Sequence, residues 1–289
     1  MKLLVYGAGV TGSLFATHMH EAGHDVSLLA RGERLAALRR HGVRLAEGDG
    51  PAVRHVPVPV VEHPADAYDL IAVCVRTHQV EAVLKSLADV EGDVLFLLNW
   101  AAGAEPLGTV IGHERVLLGF PTFGGTTDGD VVRHRAATFM TRRVPMPIGE
   151  PDGRTTPRLE RIVRTFRTTG INARAEPRID AWLTTHAAFE VPLGQAVYAA
   201  GGPVALADDP DAVLGMLRLM RRNLAALATP PVPRGFAALR TLPEGLLVAL
   251  LRRFLRSRTA VHSGLSDASS ATTSELERLT EQMRAAASG

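Results

Sequence analysis

The sequence feature that most constrains the fold is a glycine-rich stretch near the start, Gly7-Ala-Gly-Val-Thr-Gly12. It follows the apolar run Lys2–Tyr6, which is typical of a buried strand, and the residues after Gly12 predict a helix. In such a turn Gly7 permits the tight bend, Gly9 lets backbone N–H groups approach a pyrophosphate, and Gly12 lets helix and strand pack closely. The helix N-terminus adds free donors and partial positive charge. We therefore predict a dinucleotide site whose phosphate-binding residues are Gly7, Ala8, Gly9, Val10, Thr11 and Gly12; a glycine-rich turn without a ligand is the alternative.

The end of the second predicted strand, at residues 23–29, bears on which dinucleotide is bound. In NAD-specific sites an acidic side chain near this point binds the ribose hydroxyls, whereas an arginine suits a 2′-phosphate. Arg31 stands here, and the next carboxylate is Glu33. The sequence therefore favours NADP(H), with Arg31 as the main contact. Arg34 and Arg39 are interpreted as residues of a solvated helix face.

Strands and helices alternate through the first half of the chain, which predicts a right-handed parallel sheet covered by helices on both faces. The predicted strands include residues 69–75, 93–98 and 116–120, and a helix is predicted over 80–87. Residues 43–61 alternate like extended chain, but their prolines favour sheet edges. Because ligands bind at the carboxyl ends of parallel strands, Arg76 and Asn99 are candidate site residues.

The pattern changes to helices in the second half. Helices are predicted over residues 180–200, 208–228 and from 244 onward, with a proline-rich loop at 229–233. The predicted fold class is α/β, with an N-terminal Rossmann-type parallel-sheet domain followed by an all-helical C-terminal domain. We expect an NADP-binding domain at residues 1–176 and a helical substrate or dimerisation domain at 177–289. The strongly apolar stretch 246–255 suits domain packing or a homodimer interface.

Composition narrows the function classes. Hydrophobic residues make up 46% of the 289-residue chain and charged residues 21%, with a net charge of +2, which is ordinary for a globular protein and gives no basis for nucleic-acid binding. No apolar run is long enough for a membrane span and the start does not resemble a signal peptide, so the expected location is cytoplasmic. The single cysteine, Cys74, excludes a disulfide framework and is predicted to be a buried thiol. No metal site is predicted.

Several separated motifs together resemble the ketopantoate reductase (2-dehydropantoate 2-reductase) family. They are the glycine motif, Arg31, the strand ending before Arg76 with Gln79, the Leu97-Leu-Asn99 strand end, Asp128-Gly129 with Val-Val-Arg-His134, Asp180-Ala-Trp182, and the spacing of Ser263, Asp267 and Glu275. The resemblance implies an NADPH-dependent enzyme with a Rossmann domain and a helical domain. It also implies that Arg76 and Asn99 contact the cofactor and that the catalytic positions are Glu275, Asn99, Ser263 and Thr184.

The chain departs from the family where the resemblance implies catalysis. The family lysine that acts as general acid corresponds to Thr184, and the asparagine one helical turn later corresponds to Ala188. A threonine hydroxyl is a poor proton donor near neutral pH. His186 lies roughly 200° around the helix from Thr184 and is interpreted as packed on Trp182 or paired with Glu190. A Glu275 carboxyl raised in pKa by burial could serve as the acid, although it could equally be a helix-face residue.

These observations predict an NADPH-dependent reductase of a small carbonyl or imine substrate other than ketopantoate, acting by hydride transfer in a cleft between the domains. A pocket without the family lysine offers less positive charge to a 2-oxo acid. The alternative is a non-redox catalyst or a nucleotide-binding module that keeps the fold without reductase activity.

Overall fold

A computed structural model describes residues 1–134, 143–257, 260 and 270–288. The chain divides into two compact units. The N-terminal unit comprises Met1–Leu98 and Ala104–Ile179, and the helical unit comprises Asn99–Gly103 and Asp180–Gly289. The functional assignment of domains 1–176 and 177–289 stays a prediction.

The N-terminal unit is built on an eight-stranded sheet. Its strands are β1 (Lys2–Tyr6), β2 (Asp25–Leu29), β5 (Val60–Val61), β6 (Ala67–Val73), β7 (Glu91–Leu97), β8 (Val116–Gly119), β11 (Met146–Gly149) and β12 (Ala173–Ala175). They lie in the order β12-β11-β8-β7-β6-β1-β2-β5, and every neighbouring pair is parallel except β8 with β11. The predicted α/β fold with a parallel-rich sheet is confirmed.

Buried apolar side chains explain why the central strands form. In β1, Leu3, Leu4 and Val5 are fully buried, as a strand covered on both faces requires. The helices of this unit are α1 (Val10–Glu21), α2 (Gly32–His41), α3 (Val80–Leu87), α4 (Glu105–Ile111) and α5 (Pro157–Thr168). Phe15 of α1 and Phe166 of α5 meet edge to face, with ring centroids 5.0 Å apart, in the core of this unit.

A second sheet of four strands belongs to the same unit and was not predicted. Its order is β4-β3-β10-β9, built from β3 (Val43–Glu47), β4 (Val53–Val56), β9 (Gly125–Asp128) and β10 (Val131–His134). The expectation of edge pieces over 43–61 holds for β5, which ends the main sheet, and for β4, which ends the second sheet. Pro57 and Pro59 separate these two strands because neither can donate a ladder hydrogen bond.

The helical unit contains α6 (Ile179–Ala200), α7 (Pro203–Asp208), α8 (Pro210–Ala225), α9 (Ala238–Thr241), α10 (Glu244–Leu255) and α11 (Ser270–Ser288). The helix predicted over 208–228 is α8, and the short helix α7, which was not predicted, precedes it. Each of the two helices has proline at its first position. Asp209 caps α8 by accepting hydrogen bonds from the backbone N–H groups of Asp211 and Ala212. Among the described helices, none combines the length and apolar character that a membrane span needs.

Candidate functional site

The glycine loop between β1 and α1 has the geometry that the sequence predicts. Gly7 has φ +107°, and a Cβ there would lie 2.6 Å from the Cys74 carbonyl oxygen, so only glycine fits this turn. A Cβ on Gly12 would lie 1.8 Å from the Gly7 carbonyl oxygen, which explains the third glycine. Within the described part of the chain, no atom beyond Gly9 and its two neighbours along the chain lies within 4 Å of the Cβ position of Gly9. The loop therefore leaves open space beside the N-terminus of α1, where a pyrophosphate fits.

The side chain of Arg34 hydrogen-bonds to this loop, a contact that the sequence analysis did not predict. Its Nε donates to the Ala8 carbonyl at 3.0 Å, one terminal nitrogen donates to Ser13 Oγ at 3.1 Å, and the other donates to the Asp130 carbonyl at 2.8 Å. Burial lowers the pKa of this guanidinium, although it stays protonated in the working pH range. The interpretation of Arg34 as part of a solvated face is wrong, because its guanidinium hydrogen-bonds to two backbone carbonyls and the Ser13 hydroxyl of the same unit. Arg39, paired with Glu62 at 4.0 Å, is exposed as expected.

Arg31 lies two residues after β2 and is exposed. One terminal nitrogen donates a 2.7 Å hydrogen bond to the Tyr6 hydroxyl, and the guanidinium carbon is 5.8 Å from the Tyr6 ring centroid. The same hydroxyl accepts a hydrogen bond from Ser86 Oγ at 3.0 Å. Because Tyr6 directly precedes Gly7, these contacts tether Arg31 beside the glycine loop.

The end of β6 lies against the same loop. Gly7 would contact Val75 if it carried a Cβ, and Arg76 follows at the start of a short 3-10 turn, Thr77–Gln79. The backbone N–H of Arg76 donates to Gln79 Oε1 at 3.0 Å. Cys74 is buried, and burial raises the pKa of its thiol to about 12, which confirms the predicted structural thiol.

The other candidate residues belong to the helical unit. Ala101, Ala187, Val191, Leu276 and Leu279 form one buried cluster, so segment Asn99–Gly103, α6 and α11 meet there. The backbone N–H of Ala101 donates to Gln282 Oε1 at 3.0 Å, which fixes that segment on α11. Asn99, Thr184 and Glu275 each lie within three residues of a member of this cluster. The three positions that the family resemblance connects are therefore carried by segments that pack together.

Thr184 uses its hydroxyl within its own helix. Its Oγ1 lies 3.0 Å from the Asp180 carbonyl and 3.2 Å from the Ala181 carbonyl, so its single hydrogen is shared between two helix oxygens. Ala188 is fully buried. At these two positions α6 thus carries a hydroxyl whose hydrogen is directed at its own backbone and a buried methyl group.

The same helix carries the titratable residue Glu190, which the sequence analysis treated only as a partner of His186. Glu190 Oε2 is 3.9 Å from His186 Nε2, and the His186 ring stacks on Trp182 with centroids 5.2 Å apart. Burial, and then the negative charge of Glu275, raises the pKa of Glu190 to about 7, while burial lowers the pKa of His186 to about 4. Both pKa shifts favour the neutral forms of the two side chains. At this distance the cost of burying the two charges therefore exceeds the attraction between Glu190 and His186.

The structure thus groups the predicted residues in two sets. One set lies in or near the glycine loop of the N-terminal unit and consists of Gly7, Gly9, Gly12, Arg31 and Arg76. The other set lies around the buried cluster of the helical unit and consists of Asn99, Thr184 and Glu275. Ser263 lies outside the described residues. The sequence analysis did not predict the loop contacts of Arg34 or the burial of Glu190. Their helical spacing from Arg31 and His186 was the available signal, but spacing along a helix does not report burial.

The sheet order and the glycine loop at the start of α1 define a dinucleotide-binding protein of Rossmann type. Residues 3–142 match the model of the ketopantoate reductase PanE/ApbA family. The 2-dehydropantoate 2-reductase of Archaeoglobus fulgidus is 30% identical over 174 residues, which cover 60% of this chain and 55% of that protein. Residues 3–142 therefore form a domain of the ketopantoate reductase family, and the match to the Archaeoglobus fulgidus protein spans just over half of that protein's length.

Solved structures share the whole fold at low sequence identity. A ternary structure of D-mandelate dehydrogenase with NADH and anilino(oxo)acetate has a TM-score of 0.72, with 15% identity and 99% of each chain covered. A dimeric ketopantoate reductase from Staphylococcus aureus has a TM-score of 0.69, with 13% identity over 100% of this chain and 92% of that one. The predicted NADP(H) cofactor agrees with the NADPH dependence of the family.

Proposed function

We propose that this protein is an NADPH-dependent oxidoreductase that reduces the carbonyl or imine group of a small molecule other than ketopantoate. The observation that carries the proposal is the glycine loop: it is closed tightly at Gly7 and Gly12 and is open beside Gly9, at the N-terminus of a 12-residue helix. Such a helix terminus presents backbone donors and partial positive charge to a pyrophosphate.

Each predicted residue has a defined task in this proposal. The loop from Gly7 to Gly12 binds the pyrophosphate, and Arg31 binds the 2′-phosphate by a charge-assisted hydrogen bond. Arg76 and Asn99 position the nicotinamide half, and Ser263 and Glu275 bind substrate. The nicotinamide dinucleotide, when bound, supplies the hydride. Tyr6 holds the Arg31 side chain beside the loop, which lowers the entropy that Arg31 loses on binding a phosphate.

The choice of a substrate other than ketopantoate is supported by the helix that carries Thr184. An ammonium group at this position would attract the carboxylate of a 2-oxo acid, whereas a threonine hydroxyl bound to helix carbonyls offers no positive charge. An uncharged ketone, aldehyde or imine loses nothing by this replacement.

Measurement of NADPH oxidation tests the proposal. Purified protein is assayed with ketopantoate and with a panel of uncharged ketones, aldehydes and imines, with NADH and substrate-free reactions beside them. We expect turnover with an uncharged member of the panel and a preference for NADPH. NADPH binding without turnover on any member would contradict the proposed reductase activity.

The second candidate is a non-redox catalyst or nucleotide-binding module on the same fold. It is favoured by the replacement of the family lysine by Thr184, whose hydrogen is directed at the helix backbone. The double variant Thr184→Lys/Ala188→Asn separates the two: ketopantoate turnover in this variant alone indicates that the family chemistry was lost at these positions.

A homodimer is the proposed assembly. The dimeric enzyme from Staphylococcus aureus shares this fold, and α10 carries three exposed apolar side chains, Leu246, Leu250 and Phe254, on one side. Their spacing of four residues places them in a continuous stripe along the helix. A stripe of this kind is typical of an interaction surface.

A further inference from the structure

Gln282 of α11 is a polar residue that lies buried in the helical unit, with 6% of its surface exposed. A side-chain amide is seldom buried unless a hydrogen bond replaces the water that it loses. Gln282 Oε1 accepts that hydrogen bond from the backbone N–H of Ala101, which lies 181 residues earlier in the chain, at a distance of 3.0 Å. The segment Asn99–Gly103 therefore explains why a glutamine is buried at this position.

The segment Asn99–Gly103 follows β7 and begins with the predicted site residue Asn99. Ala101, in its middle, is 1% exposed and packs in the buried cluster with residues of α6 and α11. Trp100 Nε1 donates a 2.6 Å hydrogen bond to the Gly103 carbonyl, which closes the segment into a turn. Because Asn99 and Ala101 belong to the same closed turn, the hydrogen bond that holds Ala101 also limits where Asn99 can lie.

Gln282 lies on the same face of α11 as Glu275, the other predicted site residue of that helix. The two residues are about two helical turns apart, so their side chains leave the helix in nearly the same direction. Leu279, between them, is fully buried in the cluster. The hydrogen bond to Ala101 therefore fixes the register of this face of α11 against the segment that carries Asn99.

We propose that Gln282 is a positioning residue, which holds the segment Asn99–Gly103 so that Asn99 can contact the nicotinamide half of the cofactor. This inference rests on the proposed function, which assigns that contact to Asn99. Gln282 acts through the backbone of Ala101 and makes no contact of its own with the cofactor. Without its acceptor oxygen the buried N–H of Ala101 loses its partner, and the segment must shift to find another.

Gln195 provides the matched control for this role. Its Nε2 donates to Thr280 Oγ1 at 3.4 Å, so this glutamine also joins α6 to α11. Gln195 is exposed, however, and its hydrogen bond does not involve the segment Asn99–Gly103. A substitution at Gln195 therefore removes a contact between the two helices and leaves the hydrogen bond to Ala101 in place.

Two measurements on the full-length protein test the proposal. The first is calorimetric titration with NADPH and with 2′-phosphoadenosine diphosphoribose, the same molecule without its nicotinamide ring. The second is kcat and KM with NADPH and the best substrate of the panel. The variants are Gln282→Met, which loses the acceptor but keeps the length, Gln282→Glu, which keeps an acceptor oxygen, Asn99→Ala, the double variant Asn99→Ala/Gln282→Met, and Gln195→Met as control. If circular dichroism shows that Gln282→Met does not fold, Gln282→Asn, which draws the acceptor back, replaces it.

We expect Gln282→Met to weaken NADPH binding by roughly tenfold, the effect of losing one hydrogen bond, and to leave the affinity for the ring-free molecule unchanged. It should also lower kcat by roughly 10²-fold, because a small displacement near the reacting centre is enough to do so. Gln282→Glu should recover most of both losses. The double variant should be no weaker than Asn99→Ala alone, since both substitutions remove the same contact. Gln195→Met should bind and turn over as the wild-type protein does.

The outcomes separate the role of Gln282 from the proposed function. Equal losses of affinity for NADPH and for the ring-free molecule would indicate a general loosening of the fold and would overturn the positioning role. Additive losses in the double variant, or a wild-type affinity in Gln282→Met, would overturn it as well. If the wild-type protein binds NADPH but reduces no member of the panel, the reductase function is overturned and the titrations alone decide the role of Gln282. If it binds both molecules equally tightly, the nicotinamide contact of Asn99 is overturned, and the positioning role with it.

Discussion

At the scale of single residues, His186 and Glu190 make opposite contributions to the dependence of stability on pH. The pKa of His186 is lowered from 6.5 to about 4 in the folded protein, so the unfolded chain takes up its proton first and stability falls as the pH drops through this interval. The pKa of Glu190 is raised from 4.5 to about 7, so stability falls as the pH rises through that interval. Each effect amounts to about 3 kcal/mol.

Removal of either group should expose the contribution of the other. Between pH 4.5 and 6.5 the two slopes cancel in the unmodified protein. Glu190→Gln should therefore show a free energy of unfolding that rises with pH up to about 6.5, whereas His186→Gln should show one that falls up to about 7. Urea unfolding at a series of pH values measures both slopes, and equal slopes in the two variants would contradict the burial argument.

We expect Arg31, also at the scale of single residues, to set the preference for NADPH over NADH. Arg31→Ala removes a charge-assisted hydrogen bond to a 2′-phosphate, worth about 1.5–3 kcal/mol, and should weaken NADPH binding by roughly 10–100-fold. NADH has no 2′-phosphate, so its affinity should stay the same. Fluorescence titration with both dinucleotides gives the comparison, and Arg39→Ala, at an exposed arginine of the helix α2 that follows Arg31, is the control. An equal loss for NADH would rule out the 2′-phosphate contact.

At the scale of elements, Arg34 joins three pieces of the N-terminal unit: the glycine loop, α1 and the turn between β9 and β10. Arg34→Met keeps much of the side-chain volume but removes every one of these hydrogen bonds. We expect a loss of stability on the order of 2–4 kcal/mol, with weaker binding of NADPH and NADH alike, because the loop itself loosens. Thermal unfolding and dinucleotide titration check this, and Arg39→Met should change neither. Selective loss of NADPH binding would instead mark Arg34 as a phosphate ligand.

The same scale shows what could be predicted from the sequence. β1, the glycine loop and α3 follow from local patterns, because strand burial, the turn and helical periodicity each leave a signal in neighbouring residues. The second sheet could not be found in this way. β3 pairs with β10 across about ninety residues, and no local pattern encodes so distant a partner.

Among the residues of the candidate site, too, some could be predicted from the sequence and others only from the structure. Asn99 was predicted from its place at the carboxyl end of a strand as well as by family resemblance, and Glu275 by family resemblance alone. The packing of their segments agrees with their proposed association. Glu190 and Arg34 depend on burial and on contacts with other elements, which spacing along a helix does not report. His186 was correctly placed against Trp182 and Glu190, since residues four apart on a helix are neighbours.

At the scale of the whole molecule, α10 has two apolar faces, one buried and one exposed. Leu247, Leu251 and Leu255 are buried in the core of the helical unit with α7 and α8, whereas Leu246, Leu250 and Phe254 are 49%, 52% and 38% exposed. The homodimer proposal requires the second face to be covered by another copy. Leu250→Glu places a charge in the centre of that face without touching the core, and should convert dimers to folded monomers.

Size-exclusion chromatography with light scattering measures the mass, and circular dichroism shows that the variant stays folded. Val110→Glu is the matched control, because Val110 is 45% exposed in the N-terminal unit and lies on a different element. It should leave the dimer intact. The exposed and buried apolar residues lie on separate faces of α10. If monomeric Leu250→Glu unfolds no more easily than the Val110→Glu control, then one face of α10 stabilises its own unit and the other face stabilises the dimer. A wild-type protein that is monomeric at all concentrations, or a Leu250→Glu variant that remains dimeric, would place the interface elsewhere or remove it.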